Sequence, residues 1–266
     1  MLTRSLGGEI SRRRFGTLAA GAVAGLALAG CRGAAATGEQ ARVTRPTKRP
    51  APSGFRRPAA GTQSLGLADG RDGVLMVPAG AAPAPLPLLV LLHGAGGNGG
   101  NMLRRLGAAA DRAGIAVLAP DSRDPRTWDA IRGDLGPDVA FINRALARTF
   151  DTLDIDESRL SIGGFSDGAT CALTLGLLSG DVFDRVVAWS PGFFVDTAVN
   201  GKSRFYISHG RTDEILPIDR CSRVIVPRLQ KRGYDVTYRE FDGGHTLPPE
   251  IIREGLEFAG VPRALP

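Results

Sequence analysis

The chain has 266 residues, of which 43% are hydrophobic and 23% are charged, a composition typical of a globular protein with one sizeable core. Its net charge of +6 is uneven, because the first 61 residues carry eleven Lys or Arg against two acidic residues, while the remainder carries 22 against 25. The remainder is therefore mildly acidic and lacks a basic motif, which excludes nucleic-acid binding as the meaning of the basic isoelectric point. The sequence shows no metal-ligand spacing, and we expect neither a metal nor a cofactor.

The first 31 residues have the pattern of an export signal. Arginines at 12–14 precede a weakly apolar run at 15–30, which is shorter than the roughly 20 residues that span a bilayer. Residues 11–15 resemble a twin-arginine signal, and residues 28–31 resemble a bacterial lipobox whose Cys31 is lipidated and becomes the new N-terminus. This pattern predicts an extracytoplasmic lipoprotein anchored to the bacterial membrane. Two alternatives are cleavage at an Ala-x-Ala-like site, which gives a secreted or periplasmic protein, and a disordered extension with a chance cysteine.

Residues 32–61 are basic, rich in proline and almost without large apolar side chains. Such a segment cannot bury enough surface to fold, so we expect a disordered tether that could also touch anionic lipid. The predicted domains are thus a signal at 1–31, a tether at 32–61 and one catalytic domain at 62–266.

In the predicted domain, strand and helix patterns alternate in chain order. Strands are predicted at 73–78, 86–92, 115–120, 159–164, 185–190, 203–208 and 236–241, with the first pairing to 63–67. Helices are predicted at 102–113, 137–150, 169–178, 218–232 and 249–259. This alternation predicts an α/β fold, a mostly parallel twisted sheet with helices on both faces and without a large lid.

The segment 164–168 has the pattern Gly-x-Ser-x-Gly around Ser166, between a predicted strand and a predicted helix. A serine at such a turn is held above the sheet, and the glycines allow the close backbone approach that the turn requires. The pattern alone is weak in a chain with 36 glycines. An acid and a histidine later in the chain would make it a candidate nucleophile.

The chain has three histidines, and each follows the carboxyl end of a predicted strand, where α/β proteins build their sites. Only His245 is both C-terminal to Ser166 and placed in a glycine turn after the last strand. His93 is better explained as the start of an oxyanion loop, and His209 as a structural residue that positions the turn carrying Asp213. We therefore predict that His245 is the base.

Asp213, four residues beyond His209, is the predicted acid that holds the imidazole in the required tautomer. Glu214 is a rival by adjacency, although neighbouring residues on such a turn usually point apart. Asp242 is a weaker rival, because it belongs to the turn that carries His245.

The motifs at 93–97, 164–168, 209–217 and 243–245 together resemble an α/β-hydrolase, and more narrowly the small phospholipase/carboxylesterase-like serine esterases. Related patterns occur in polyester depolymerases and feruloyl esterases, and the resemblance covers roughly residues 66–260. It implies an oxyanion hole formed by the backbone amides of Ala95 and Asp167. It also implies an acyl-enzyme on Ser166 that water hydrolyses, with a small or polymeric ester as the partner.

Three aromatic residues on loops past strand ends are candidates to line a substrate pocket, namely Trp128, Phe193 and Phe194. Cys171 and Cys221 are expected to be buried free thiols, although a disulfide would be permissible after export. Two other functions remain open from the sequence: acyl transfer through the same acyl-enzyme, and a non-catalytic surface binding module on the same fold. The sequence does not define the acyl length or the oligomeric state.

Overall fold

A computed structural model describes residues 41–47, 58–80, 85–133, 135–196 and 199–261. The strands are β1 (Gly61–Ser64), β2 (Gly73–Val77), β3 (Leu86–Leu92), β4 (Ala116–Pro120), β5 (Ile155–Phe165), β6 (Arg185–Trp189), β7 (Arg204–Gly210) and β8 (Val236–Phe241). The helices are α1 (Gly99–Arg112), α2 (Pro137–Thr152), α3 (Asp167–Leu178), α4 (Ser222–Lys231) and α5 (Pro249–Gly260), with short 3₁₀ turns at Asp129–Arg132 and Ile218–Arg220.

The strands form one sheet in the order β1-β2-β4-β3-β5-β6-β7-β8. The β1–β2 and β2–β4 pairs are antiparallel, and every other pair is parallel. Parallel strands need crossover connections, which the helices supply, so both faces of the sheet are covered. The predicted α/β architecture is confirmed. The carboxyl ends of β3 to β8 consequently share one edge, where His209 lies near the end of β7 and the loops that carry His93 and His245 begin.

Strand β3 shows how the sequence builds two cores. All seven of its residues are buried, as expected for a central strand covered on both faces. Successive side chains point to opposite faces, so Leu89 and Leu91 pack with α1 and α5, whereas Leu88, Val90 and Leu92 pack with α2, α3 and α4. The continuous apolar run is therefore divided between the two layers.

Several predicted boundaries differ from the structure, among them those of α1, β5 and α4. Helix α1 begins at Gly99, three residues early, because the Asn98 side chain caps it by accepting the amide of Asn101 at 2.8 Å. Strand β5 begins at Ile155 and not at the predicted residue 159, although the residues after Ile155 are polar. The helix predicted at 218–232 is interrupted at Cys221 between a 3₁₀ turn and α4.

Seven residues inside the predicted tether, 41–47, lie against the domain; we call them the strap. The side chain of Val43 is fully buried, and its amide donates to Ser179 Oγ at 3.0 Å. The Arg45 guanidinium donates to the carbonyl oxygen of Asp181 at 2.6 Å. At the strap, the expectation of a disordered tether is wrong, because one buried valine and paired arginines fix an otherwise polar segment.

The predicted export signal, including Cys31, lies outside the described residues. Within the ranges that the structure describes, none of the helices is long and apolar enough to cross a membrane. Cys171 and Cys221 are buried and free of disulfides, as expected, and burial raises the pKa of both thiols.

Candidate active site

Ser166 lies on the turn between β5 and α3 with a backbone conformation that L-residues rarely adopt, φ 59° and ψ −121°. Its amide donates to the carbonyl oxygen of Trp189 at 3.0 Å, which ties the turn to the end of β6. Backbone strain of this kind costs about 1–3 kcal/mol and persists only where the surrounding structure enforces it. The structure therefore places Ser166 on the strained strand-to-helix turn that the sequence predicts.

The two glycines of the motif are required by packing. A Cβ on Gly168 would lie 2.3 Å from the carbonyl oxygen of Leu92, and a Cβ on Gly164 would lie 2.5 Å from that of Gly168. Both distances are far below contact distance, so the start of α3 approaches the end of β3 more closely than any side chain allows. This close approach brings the loop after β3 to the serine.

His245 and Asp213 are brought together at the same edge of the sheet. His245 Nδ1 lies 2.7 Å from Asp213 Oδ2, which places the ring hydrogen on Nδ1 and leaves Nε2 available to accept a proton. The imidazole also packs on Phe165, the residue before Ser166, with 4.7 Å between the ring centroids. In the described residues Ser166 Oγ makes no hydrogen bond, as is common for catalytic pairs before substrate binds.

The Asp213 carboxylate is buried and held by several donors. Its Oδ1 accepts the amides of Ile215 at 3.0 Å and Leu216 at 2.8 Å. Its Oδ2 lies 3.2 Å from His209 Nε2, which also lies 2.7 Å from the carbonyl oxygen of Leu216. Because that carbonyl can only accept, His209 carries its hydrogen on Nε2, and burial lowers the pKa of this histidine. His209 thus orients the acid, as its predicted structural role requires.

The two rival acids lie elsewhere. Glu214 is exposed on the turn after Asp213. Asp242 pairs with Arg211, and its side chain is 92% exposed. Asp213 is therefore the carboxylate among these three that contacts His245.

The side chain of His93 holds the loop 93–97 through hydrogen bonds on both ring nitrogens. Its Nδ1 donates to the carbonyl oxygen of Gly94 at 2.8 Å, and its Nε2 accepts the amide of Ser122 at 3.1 Å. Burial lowers the pKa of His93, which is consistent with a neutral ring. The loop passes directly beside the serine, because a Cβ on Gly94 would lie 3.4 Å from Ser166 Cβ.

Arg71 is a supporting residue that the sequence did not reveal. Its guanidinium donates to the carbonyl oxygen of Gly97 at 2.9 Å and to Ser122 Oγ at 3.0 Å, and it lies 3.3 Å from His93 Nε2. It therefore joins the loop after β3 to the loop after β4. Arg71 belongs to an irregular turn before β2, where neither periodicity nor a motif marks it.

The amides of Ala95 and Asp167 flank Ser166, one on the loop 93–97 and the other at the start of α3. In the described part of the chain neither amide donates to another group, so both are available to an incoming oxygen. The Asp167 carboxylate does not compete for them, since its Oδ2 accepts the hydroxyl of Thr127 at 2.5 Å.

The prediction that aromatic residues line a substrate pocket is wrong for two of the three, Trp128 and Phe194. Trp128 is fully buried beneath the loop 93–97, where its indole N–H donates to the carbonyl oxygen of His93 at 2.7 Å. Phe194 is 4% exposed, and the guanidinium of Arg228 covers its ring at 4.6 Å. Both rings are packed into the apolar core, so neither lines an open pocket. Phe193 is 43% exposed and stays a candidate.

Comparison with known proteins agrees with this architecture. A family model described as phospholipase/carboxylesterase matches residues 139–259. Feruloyl esterase C of Emericella nidulans is 28% identical over 166 residues, which cover 59% of this chain and 60% of that protein. A putative esterase, NocK, of Nocardia uniformis is 29% identical over 53% of this chain and 44% of that protein. The matches thus span about half of each relative's length.

The solved structures show the fold. The crystal structure of esterase PE8 superimposes with a TM-score of 0.58 at 21% sequence identity, covering 70% of this chain and 96% of the other. The eight-stranded sheet with its flanking helices is an α/β-hydrolase fold. No cluster of three potential metal ligands occurs in the ranges that the structure describes.

Proposed function

We propose that this protein hydrolyses carboxylic esters, with Ser166 as nucleophile, His245 as general base and Asp213 as the acid that orients it. The observation that carries the proposal is that Ser166 lies on a strained strand-to-helix turn, where the preceding residue, Phe165, contacts the imidazole of the hydrogen-bonded pair of Asp213 and His245. The phospholipase/carboxylesterase family match and the two esterase relatives support the same reaction class.

The geometry accounts for each step of such a reaction. Ser166 Oγ attacks the ester carbonyl carbon while its proton passes to His245 Nε2, and Asp213 stabilises the imidazolium that forms. The developing oxyanion accepts hydrogen bonds from the backbone amides of Ala95 and Asp167. Collapse of this intermediate expels the alcohol, which takes the proton from His245. Water then attacks the acyl-enzyme by the same route and releases the acid.

The substrates that we propose are accessible, short-chain or polymer-borne esters. Burial of Trp128 and Phe194 removes two of the rings that could have gripped a large aryl or acyl group.

The decisive test is the hydrolysis of aryl esters of increasing acyl length by wild type and variants. We expect Ser166→Ala and His245→Ala each to lower kcat/KM by at least about 10³-fold, since triad members act as a unit, and Asp213→Asn to lower it less. Ser190→Ala is a matched control, because Ser190 also has a positive φ of 52° at the next strand end. Full activity of Ser166→Ala would show that this turn is not the site. Assays with a competing alcohol distinguish hydrolysis from acyl transfer.

We also propose export and lipid anchoring at Cys31, on the sequence pattern at 11–31. Cys31→Ser should release the protein from the membrane fraction without blocking export, because Cys31 is the residue to which the proposed lipid anchor is attached. Fractionation followed by an ester assay measures both. Unchanged membrane association of Cys31→Ser would rule out the anchor, and a protein retained in the cytoplasm would rule out the signal.

A further inference from the structure

A cavity of about 380 Å³ is lined by Gly94 and Phe165, the two residues that lie next to Ser166 in space and in sequence, respectively. One wall is the loop 93–97, which passes beside Ser166 Cβ, together with Phe165. The opposite wall is the first half of α1, which contributes Asn98, Asn101 and Arg105 among others. A substrate bound at Ser166 would therefore extend into a cavity with one arginine in its wall.

Arg105 lies close to the proposed base. Its guanidinium carbon is 5.7 Å from the centre of the Phe165 ring, and the same ring contacts His245 at 4.7 Å between centroids. The guanidinium and the imidazole therefore share the Phe165 ring as a neighbour. A group that contacts Arg105 would therefore lie near the residue that precedes Ser166.

The polar groups of this cavity are donors. Asn98 Oδ1 accepts the amide of Asn101, and Asn101 Oδ1 accepts a hydrogen bond from Arg104, so the NH₂ groups are the parts of these side chains that still lack a partner among the described residues. Within the described ranges Arg105 pairs with no carboxylate, and none of the described residues that line the cavity is acidic. By contrast Arg223, on the far side of the domain, engages both Asp219 and Glu240.

We propose that this cavity binds an anionic group of the ester substrate, a carboxylate or phosphate next to the scissile bond, and that Arg105 determines this specificity. A cavity wall that carries donors and one unpaired guanidinium suits an anion, since charge-assisted hydrogen bonds from arginine are the strongest that a side chain offers. The inference rests on the proposed esterase function and names the substrate class for that same site.

The test compares matched pairs of esters. For an anion on the acyl side, p-nitrophenyl hemisuccinate is compared with the neutral, similarly shaped p-nitrophenyl levulinate. For an anion on the alcohol side, p-acetoxybenzoate is compared with its methyl ester. The hydrolysis rate of each ester with Ser166→Ala serves as the background and is subtracted from the rate with wild type. We expect wild type to favour the anionic member of one pair, and added salt to weaken that preference.

Arg105→Gln should lower the ratio of kcat/KM values, anionic over neutral, about 10-fold in the pair that shows the preference. Arg112→Gln is the matched control, because it removes the same charge from an exposed position at the end of the same helix, outside this cavity. It should leave the ratio within about twofold. An unchanged ratio in Arg105→Gln for both pairs overturns the inference while leaving the esterase proposal intact. Failure of wild type to hydrolyse any of the four esters overturns the proposed function itself.

Discussion

The Asp213 carboxylate is fixed by its surroundings more completely than the histidine that it contacts. Two backbone amides, His209 and His245 all approach it, whereas His245 has one acceptor and one ring contact. Because Asp213 is anchored by the turn that it begins, the position of His245 depends on the acid. Neither Glu214 nor Asp242 has comparable donors, so neither can replace it.

Asp129 offers a pH-dependent test at the residue scale. The amide of Asp129 donates to Asp138 Oδ2 at 2.7 Å, and the amide of Asp138 donates to Asp129 Oδ2 at 2.8 Å. Burial, aided by the neighbouring carboxylate, raises the pKa of Asp129 to about 7 from an ordinary value of 3.8. The folded state therefore keeps a proton that the unfolded chain has lost, and stability falls as the pH rises between these two values.

We expect Asp129→Asn to remove this dependence, because asparagine is a permanently neutral replacement. Thermal unfolding should give similar Tm values for the variant and wild type near pH 4, and a higher Tm for the variant near pH 8. Asp242→Asn, with its exposed side chain, is the control and should keep the wild-type profile. Parallel profiles for Asp129→Asn and wild type would show that Asp129 ionises normally in the fold.

At the scale of elements, the site depends on contacts between strand ends. The amides of Arg211 and Thr212, after β7, donate to the carbonyl oxygens of Phe241 and Gly243, at 2.9 and 3.0 Å. The acid loop and the histidine loop are thereby joined by backbone, as Arg71 joins the loops after β3 and β4. Hydrogen bonds between neighbouring loops thereby fix the positions of Asp213 and His245 relative to each other.

The sequence predicts elements and their order better than it predicts loop interiors. Hydrophobic periodicity placed β3, β6, β8 and α5 within about one residue, because β3 and β6 are buried throughout, β8 alternates along the strand and α5 is buried at helical spacing. It missed the early start of α1, since Gly99 has low helix propensity. A Cβ there would lie only 1.9 Å from the carbonyl oxygen of Ala119, so packing requires glycine. Trp128 is buried against a distant loop, where it packs beside His93 and donates to the carbonyl oxygen of that residue, and such a contact has no signature in sequence.

At the scale of the whole molecule, the site and the strap occupy opposite ends of the sheet. Helix α3 begins next to Ser166 and ends next to Ser179, which accepts the amide of Val43 in the strap. Twelve helical residues span about 18 Å, so the strap cannot reach the reacting atoms. The strap can therefore influence activity only by changing the stability of the folded domain.

Removal of the strap should therefore destabilise the protein without changing its chemistry. Compared with a chain that starts at residue 41, a chain that starts at residue 48 loses the buried side chain of Val43 and the hydrogen bonds of Arg45. Burial of one valine and two or three hydrogen bonds together predict a loss of about 2–4 kcal/mol in the free energy of unfolding.

Urea unfolding measures this loss, and ester hydrolysis well below the Tm should give the same kcat for both chains. The full-length variant Val43→Asp is a second test that leaves the chain length unchanged, because a charge in this fully buried position should release the strap. If the chain that starts at residue 48 is as stable as the one that starts at residue 41, and Val43→Asp is as stable as full-length wild type, the strap contributes nothing to the fold. A fall in kcat at equal folded fraction would instead show that the amino end of the sheet is coupled to the loops at its carboxyl edge.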